Sequence, residues 1–277
     1  MSWSTEPPYP FRGVITPPLP GRLAKPRQKG VTMILDKGLG VSATADVLST
    51  GAAYIDYWKL TFGTSYFYPE LVLREKIGLL NGAGIPIYPG GTFLEVAIWQ
   101  GAMEPFLDRC VALGFTAMEV SDGTVPLTPE QRRAAIQASL QRGLAVLTEV
   151  GKKDPRDKQS FQLLHDEIRA DLAAGAAYVT IEGRESGTGV GIFNDQGGIQ
   201  EEVVEGILGG VERPEVVLWE APQRSQQDWL IRHFGPNVNL ANIPPGETVA
   251  LEALRAGLRS DTLRPCLDPS WSVPKER

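Results

Sequence analysis

Short apolar runs, rich in β-branched, aliphatic and aromatic residues, recur along the chain, and each ends on or beside a polar residue or a glycine. They occupy 31–35, 54–60, 85–88, 115–120, 144–150, 178–181, 216–219 and 238–241. Stretches with helical spacing separate them. Strands alternating with helices predict βαβ units and a parallel sheet. The polar or glycine positions closing the runs are Asp36, Lys59, Gly90, Glu119, Glu149, Glu182, Glu220 and Asn239, seven steps with a mean of 29 residues. An eight-unit barrel of about 250 residues needs roughly 31 per unit. The pattern therefore predicts an α/β fold, a (β/α)8 TIM barrel of eight parallel strands. The alternative, an open doubly wound sheet, would more often carry Gly-x-Gly-x-x-Gly after the first strand. Here that turn reads Asp36-Lys37-Gly38-Leu39-Gly40.

Local signals agree. Thr128-Pro129-Glu130-Gln131 offers an N-cap threonine, proline at the first helical position and glutamine at the capping-box position, with the helix ending at Gly143. Leu251, Leu254 and Leu258 are spaced for one helix face. The organisation expected is a Pro-rich N-terminal arm over 1–29, a barrel over 30–263 and a C-terminal tail over 264–277. The arm carries seven prolines and reads as extended, either flexible or lying on the barrel. It has no continuous apolar core of a signal peptide, and no run approaches the roughly 18 apolar residues of a membrane span. The cytoplasm is the default expectation, with no membrane partner.

Composition narrows the chemistry. The chain of 277 residues carries a net charge of −6 with only two histidines and two cysteines. Zinc sites built on four cysteines or on three histidines are excluded, and Cys110 and Cys266 allow one bridge at most. The acidic balance argues against nucleic acid as a partner. Chemistry is left to carboxylates, lysines, arginines and an oxygen-bound metal.

Catalytic groups of a barrel sit at the C-terminal ends of its strands. Glu119, Glu149, Glu182 and Glu220 come from four consecutive strand ends, and Asp36 from the first. Like charges gathered there repel unless a cation neutralises them, and a hard divalent cation, Mg²⁺ above all, suits oxygen ligands. The same glutamates can instead pair with Lys59, Lys152 or Arg184. Lys37, Lys59, Lys152, Lys153 and Arg184 sit at the same rim and suit an anionic substrate. Gly90, Gly91, Thr92 and Gly187 lie in turns that let backbone approach an anion, or simply close tight loops. Gln223, Asn239 and Asn242 lie where barrels often bind phosphate. A lysine here either forms a Schiff base or donates a proton. Of the adjacent Lys152 and Lys153, at most one faces the reaction centre. His165 and His233 read as surface residues of helices, and Cys110 as a core thiol.

Taken in order, the strand-end motifs resemble the phosphosulfolactate synthase family. They are Asp36-Lys37-Gly38-Leu39, Tyr54-Ile55-Asp56 with Lys59, Phe62-Gly63-Thr64-Ser65, Tyr88-Pro89-Gly90-Gly91-Thr92 and Glu119-Val120-Ser121-Asp122-Gly123. They continue with Leu147-Thr148-Glu149-Val150-Gly151-Lys152-Lys153 and Ile181-Glu182-Gly183-Arg184-Glu185-Ser186-Gly187. Glu220-Ala221-Pro222-Gln223 and Val238-Asn239-Leu240-Ala241-Asn242-Ile243 complete the set. The resemblance runs from about Gly30 to Thr262. It implies a barrel enzyme that adds sulfite to phosphoenolpyruvate with Mg²⁺, giving (2R)-phospho-3-sulfolactate, a precursor of coenzyme M in methanogens. It also implies that Lys153 is the general acid and that Arg184 and the glycine turns hold phosphate or sulfite. Metal duty would fall among Asp36, Glu119, Glu149, Glu182 and Glu220.

Two other readings compete. One is a lyase or aldolase with a Schiff-base lysine, Lys59 for instance. The other is a non-catalytic stress-protection or binding protein on the same barrel, since the family has plant heat-stress-associated relatives. Oligomeric state is open, a homo-oligomer included.

Overall fold

A computed structural model describes residues 9–152, 159–268 and 270–274. Eight parallel strands form one sheet: β1 (Thr32–Asp36), β2 (Tyr57–Leu60), β3 (Ile87–Pro89), β4 (Ala117–Val120), β5 (Ala145–Val150), β6 (Tyr178–Ile181), β7 (Val217–Glu220) and β8 (Leu240–Ile243). Neighbours run in the order β3-β2-β1-β8-β7-β6-β5-β4. The remaining seam, between β3 and β4, is bridged by Thr116. Its N–H donates to the Ile87 carbonyl at 3.2 Å, and its hydroxyl accepts from the Ile87 N–H at 3.2 Å. Pro89 has no N–H to extend the seam. The result is the (β/α)8 barrel. Each strand begins at the expected residue or one to three residues after it.

The helices are α1 (Val41–Gly51), α2 (Glu70–Gly82), α3 (Gly91–Trp99), α4 (Met103–Leu113), α5 (Pro129–Gln141), α6 (Phe161–Ala174), α7 (Glu201–Leu208), α8 (Arg224–Phe234), α9 (Thr248–Arg255) and α10 (Ser260–Cys266). The capping box of α5 forms: Thr128 Oγ1 accepts from the Gln131 N–H, and Gln131 Oε1 accepts from the Thr128 N–H. Leu251 and Leu254 are buried on α9, whereas Leu258 lies beyond its end and is half exposed. Helix α10 runs through Cys266, beyond the boundary drawn at 263.

Side-chain parity explains the interior. Successive strand residues face opposite ways. Met33, Tyr88, Ala117, Leu147, Leu218 and Ala241 fill the barrel as one cluster, separate from the larger layer between strands and helices. Positions two residues further along share that inward direction. They include Leu35, Gly90, Glu119, Glu149 and Glu220.

The opposite end is closed by the arm. Leu19 is buried and its N–H donates to the Ala256 carbonyl at 3.1 Å. Arg22 forms a forked pair with Glu252 at 2.6 and 3.0 Å and also donates to the Gly30 carbonyl. Arg27 pairs with Asp56 at 3.0 Å, and Asp56 accepts from the Thr32 N–H where β1 begins. Asn237 accepts from the Leu23 N–H and donates to the Gly21 carbonyl. The Tyr178 hydroxyl donates to the Gln28 carbonyl from inside the floor. Residues 19–29 thus lie across the N-terminal end of the barrel, tied there by contacts with the barrel wall.

Candidate active site

The C-terminal mouth holds a cavity of about 380 Å³ lined by Leu35, Lys59, Thr61, Phe62, Gly90, Gly91, Thr92, Glu119, Glu149, Glu182, Arg184, Glu185, Ser186, Glu220 and Asn242. Lys59 stands at its base. The ammonium lies 2.8 Å from Glu119 Oε1, 2.9 Å from Glu149 Oε2 and 3.7 Å from Glu220 Oε1. Register puts Lys59 beside Leu35 of β1. Inward parity then delivers the three glutamates from β4, β5 and β7 to the same level.

One ammonium cannot neutralise three buried carboxylates, and the protonation states follow. Burial works against the charge of Lys59, but Glu119, Glu149 and Glu220 outweigh it and hold the amine protonated well above the ordinary lysine range. Burial and then Glu149 push Glu220 up to about 7, against the pull of Lys59 and the Gly183 N–H. Burial raises Glu119 as well. Just below, the Tyr88 hydroxyl is buried without a hydrogen-bond partner, and burial together with Glu119 keeps it neutral.

Backbone geometry is unusual at this mouth. Among the described residues, the non-glycine positions with positive φ are Phe62 (57°), Arg184 (60°) and Asn242 (58°), and all three line the cavity. Strain of this kind concentrates where surrounding structure holds a functional conformation. Gly91 is required for a different reason. Its N–H donates to Glu119 Oε1 at 2.8 Å, and a Cβ there would come within 2.4 Å of Ser121 Oγ. Glu119 is thereby fixed from two sides, by Lys59 and by the first residue of α3. Its other oxygen, Oε2, is buried with no hydrogen-bond partner, as is Asn242 Oδ1.

The structure sorts the predicted residues. It brings together Lys59, Arg184, Gly90, Gly91, Thr92, Asn242, Glu119, Glu149, Glu182 and Glu220. Asp36 is not among them. It ends β1 on the outward parity, where it accepts from the N–H groups of Gly38 and Leu39, from Trp58 Nε1 and from the buried Lys76 ammonium. Its oxygens serve the turn, so a metal role for Asp36 is set aside. Asn239 also falls away. The last strand begins at Leu240 rather than 238, which leaves Asn239 at the floor, donating to the Glu215 and Val217 carbonyls and accepting from the Val31 N–H. Gln223 caps α8 and donates to the Ser186 carbonyl. Gly187 packs against Gln226, which donates to its carbonyl. Lys37 lies at the rim, 2.5 Å from Glu185. Lys152 is turned onto Asp122 at 2.6 Å and does not line the cavity. Lys153 lies outside the described residues. His165 and His233 lie on α6 and α8, half-buried and away from the cavity, and Cys110 is buried in α4.

Sequence reasoning passed over Thr61, Phe62, Glu185 and Ser186 as lining residues and Tyr88 as the layer beneath. Phe62 and Glu185 closely follow the strand ends bearing Lys59 and Glu182, the available signal for them.

The donor chemistry is compatible with a hard cation. Among the described residues no three carboxylates converge into a metal cage, because Lys59 occupies the space between them. Mg²⁺ needs no such cage. It usually keeps several waters and is held by one or two carboxylates plus substrate oxygens. The partnerless oxygen of Glu119 suits that mode.

The family model of (2R)-phospho-3-sulfolactate synthase (ComA) matches residues 20–261. The chain is 45% identical over 238 residues to the phosphosulfolactate synthase of Methanocaldococcus jannaschii, covering 85% of this chain and 94% of that protein. It is 40% identical over 255 residues to that of Methanothermobacter thermautotrophicus, covering 90% and 96%. A solved structure of 3-hexulose-6-phosphate synthase, 14% identical, superposes with a TM-score of 0.50 over 82% of this chain and 98% of that one, a likeness of fold alone.

Proposed function

Because the chain belongs to the (2R)-phospho-3-sulfolactate synthase family and is a carbon–sulfur lyase, we propose that it adds sulfite to C3 of phosphoenolpyruvate in a Mg²⁺-dependent reaction. The observation that carries this reading is the Lys59 ammonium set among Glu119, Glu149 and Glu220 at the base of a small cavity.

Sulfur forms a bond to C3, the C2–C3 π electrons move toward the carboxylate, and a proton then reaches C2. Glu119 and Glu182 are the residues we assign to hold Mg²⁺. When bound, the ion supplies Lewis-acid stabilisation of negative charge on the substrate carboxylate. Lys59 is a permanent cation in this scheme. It holds the glutamates in place and lends positive potential to the cavity base. It is neither the proton donor nor a Schiff-base nucleophile, since both need an amine that readily gives up its proton. Arg184 and Thr92, in the turn at the start of α3, are assigned to the phosphate. Asn242, which lines the cavity, is assigned to orient the substrate. Lys153 is the proposed acid at C2.

The test is phosphorus NMR of phosphoenolpyruvate incubated with the purified protein. Conversion to a phosphosulfonate that requires both sulfite and Mg²⁺ supports the reading. Absence of sulfite-dependent loss of phosphoenolpyruvate overturns it.

A further inference from the structure

Beside the cavity, a buried arginine ties three elements together. Arg132 of α5 is 6% exposed at its side chain. Its Nε and Nη2 fork onto Asp171 of α6 at 2.8 and 2.7 Å. Nη2 also donates to the Glu149 carbonyl at 3.0 Å, at the end of β5. Nη1 lies 3.3 Å from Asp122 Oδ1 and 3.2 Å from Glu167 Oε1. The other oxygen of Asp122 receives the Lys152 ammonium at 2.6 Å, and the Asp122 carbonyl takes it again at 3.2 Å. The chain of contacts therefore runs from α6 through Arg132 to the β4 loop and ends on the first residues after β5. Burial works against the arginine's charge, but Asp171, Glu167 and Asp122 outweigh it and raise its pKa. It is always a cation at this place.

We propose that Arg132, Asp122 and Lys152 are positioning residues of the proposed reaction, holding the end of β5 in register through the Glu149 carbonyl and the Lys152–Asp122 ion pair. A β5 end loosened at the Glu149 carbonyl would shift Glu149, and with it Lys59. A displacement of about 1 Å at a reacting centre is enough to cost on the order of a hundredfold in rate. The proposal rests on the sulfite-addition reading for its kinetic arm only.

The experiment combines labelling and kinetics. Acetic anhydride labelling, read by mass spectrometry, compares Lys152 in the native protein and in Asp122→Asn, which keeps an oxygen acceptor for Arg132. Labelling of Lys152 should rise by about fivefold or more once its ion pair is gone. In the sulfite assay, Asp122→Asn and Lys152→Met should each lose about tenfold or more in kcat with KM little changed, while Lys152→Arg, which can still pair with Asp122, recovers most of it. Circular dichroism confirms folding, and Lys152→Met serves should Asp122→Asn not fold. Equal labelling of Lys152 in both proteins overturns the proposal. So does Lys152→Arg as impaired as Lys152→Met, which would place Lys152 on the substrate. If the native protein converts no phosphoenolpyruvate with sulfite, the functional reading fails by itself, and the labelling arm still decides the contact chain.

Discussion

Both ends of this barrel bury ion pairs, and they bury them differently. At the floor, Arg22 meets Glu252 and Arg27 meets Asp56, Asp56 also takes the Thr32 N–H, and the buried Arg255, beside Glu252, donates to the Pro236 and Val238 carbonyls. At the mouth, Lys59 faces three glutamates, Glu119 keeps an oxygen without a partner, and three non-glycine residues hold positive φ. The floor is the arrangement expected of a fastening. A matched buried pair adds little net stability over apolar packing, but it penalises every alternative placement of the arm. The mouth is the arrangement expected of a site. Carboxylates outnumber the one ammonium among them, a proton is held at an unusual pH, and strain is retained where surrounding structure enforces it.

The contrast can be broken most severely at Lys59. Lys59→Met leaves like charges facing one another at the base of the cavity. Activity should fall by about a thousandfold or more and stability by about 3–5 kcal/mol, read by the sulfite assay and by urea unfolding. Native-like turnover in that variant would remove the mouth from the chemistry. Next is Lys153→Ala, expected to lose about 10²–10⁴-fold in turnover while melting as the native protein does, as the loss of a general acid should. A floor variant gives the converse result. Arg27→Met leaves Asp56 buried without its cation and should cost about 3 kcal/mol of stability. Below its melting temperature kcat/KM should stay native. A large change in KM there would mean that the two ends are coupled.

The smallest expected effect concerns Glu220. Its carboxyl is raised from 4.5 to about 7, so the folded protein holds that proton more tightly than the unfolded chain. Stability from this group is fully present below about pH 4.5 and is lost as pH rises through 7. Glu220→Gln removes that loss. Relative to native, the variant should gain on the order of 1 kcal/mol between about pH 5 and pH 8, a few degrees in melting temperature. A gain that does not grow with pH would mean that Glu220 is ionised throughout.

The sequence revealed the fold better than the floor of the barrel or the side-chain directions. Eight apolar runs at a steady period were enough for the barrel. The apolar runs begin up to three residues ahead of the strands, because strands of a buried parallel sheet are apolar throughout and nothing marks where pairing begins. That offset had chemical consequences. Two residues of slip on β8 separated Asn239, which braces the floor, from Asn242, which reaches the cavity. Asp36 shows the second reason. It closes a strand as Glu220 does, but parity points it at Trp58 and Lys76 instead of inward. The strand ends were visible in the composition of the runs, whereas inward parity required the register. Lys59 stood out as a lysine inside an apolar run, yet only the register shows that it occupies the place expected for a metal. The arm's prolines suggested extended chain and gave no sign of its anchors, since Arg22 and Arg27 find partners 230 and 29 residues away.

The most direct test of the account is the protonation of Lys59. Lysine labelled with ¹³C at Cε, with the Lys59 signal assigned by its loss in Lys59→Arg, can be titrated by NMR in the folded protein. The account predicts a signal that stays at its ammonium position past pH 10.5, the ordinary lysine value. A Lys59 that gives up its proton between about pH 7 and 9 would contradict it and would return this residue to the role of an amine nucleophile or acid.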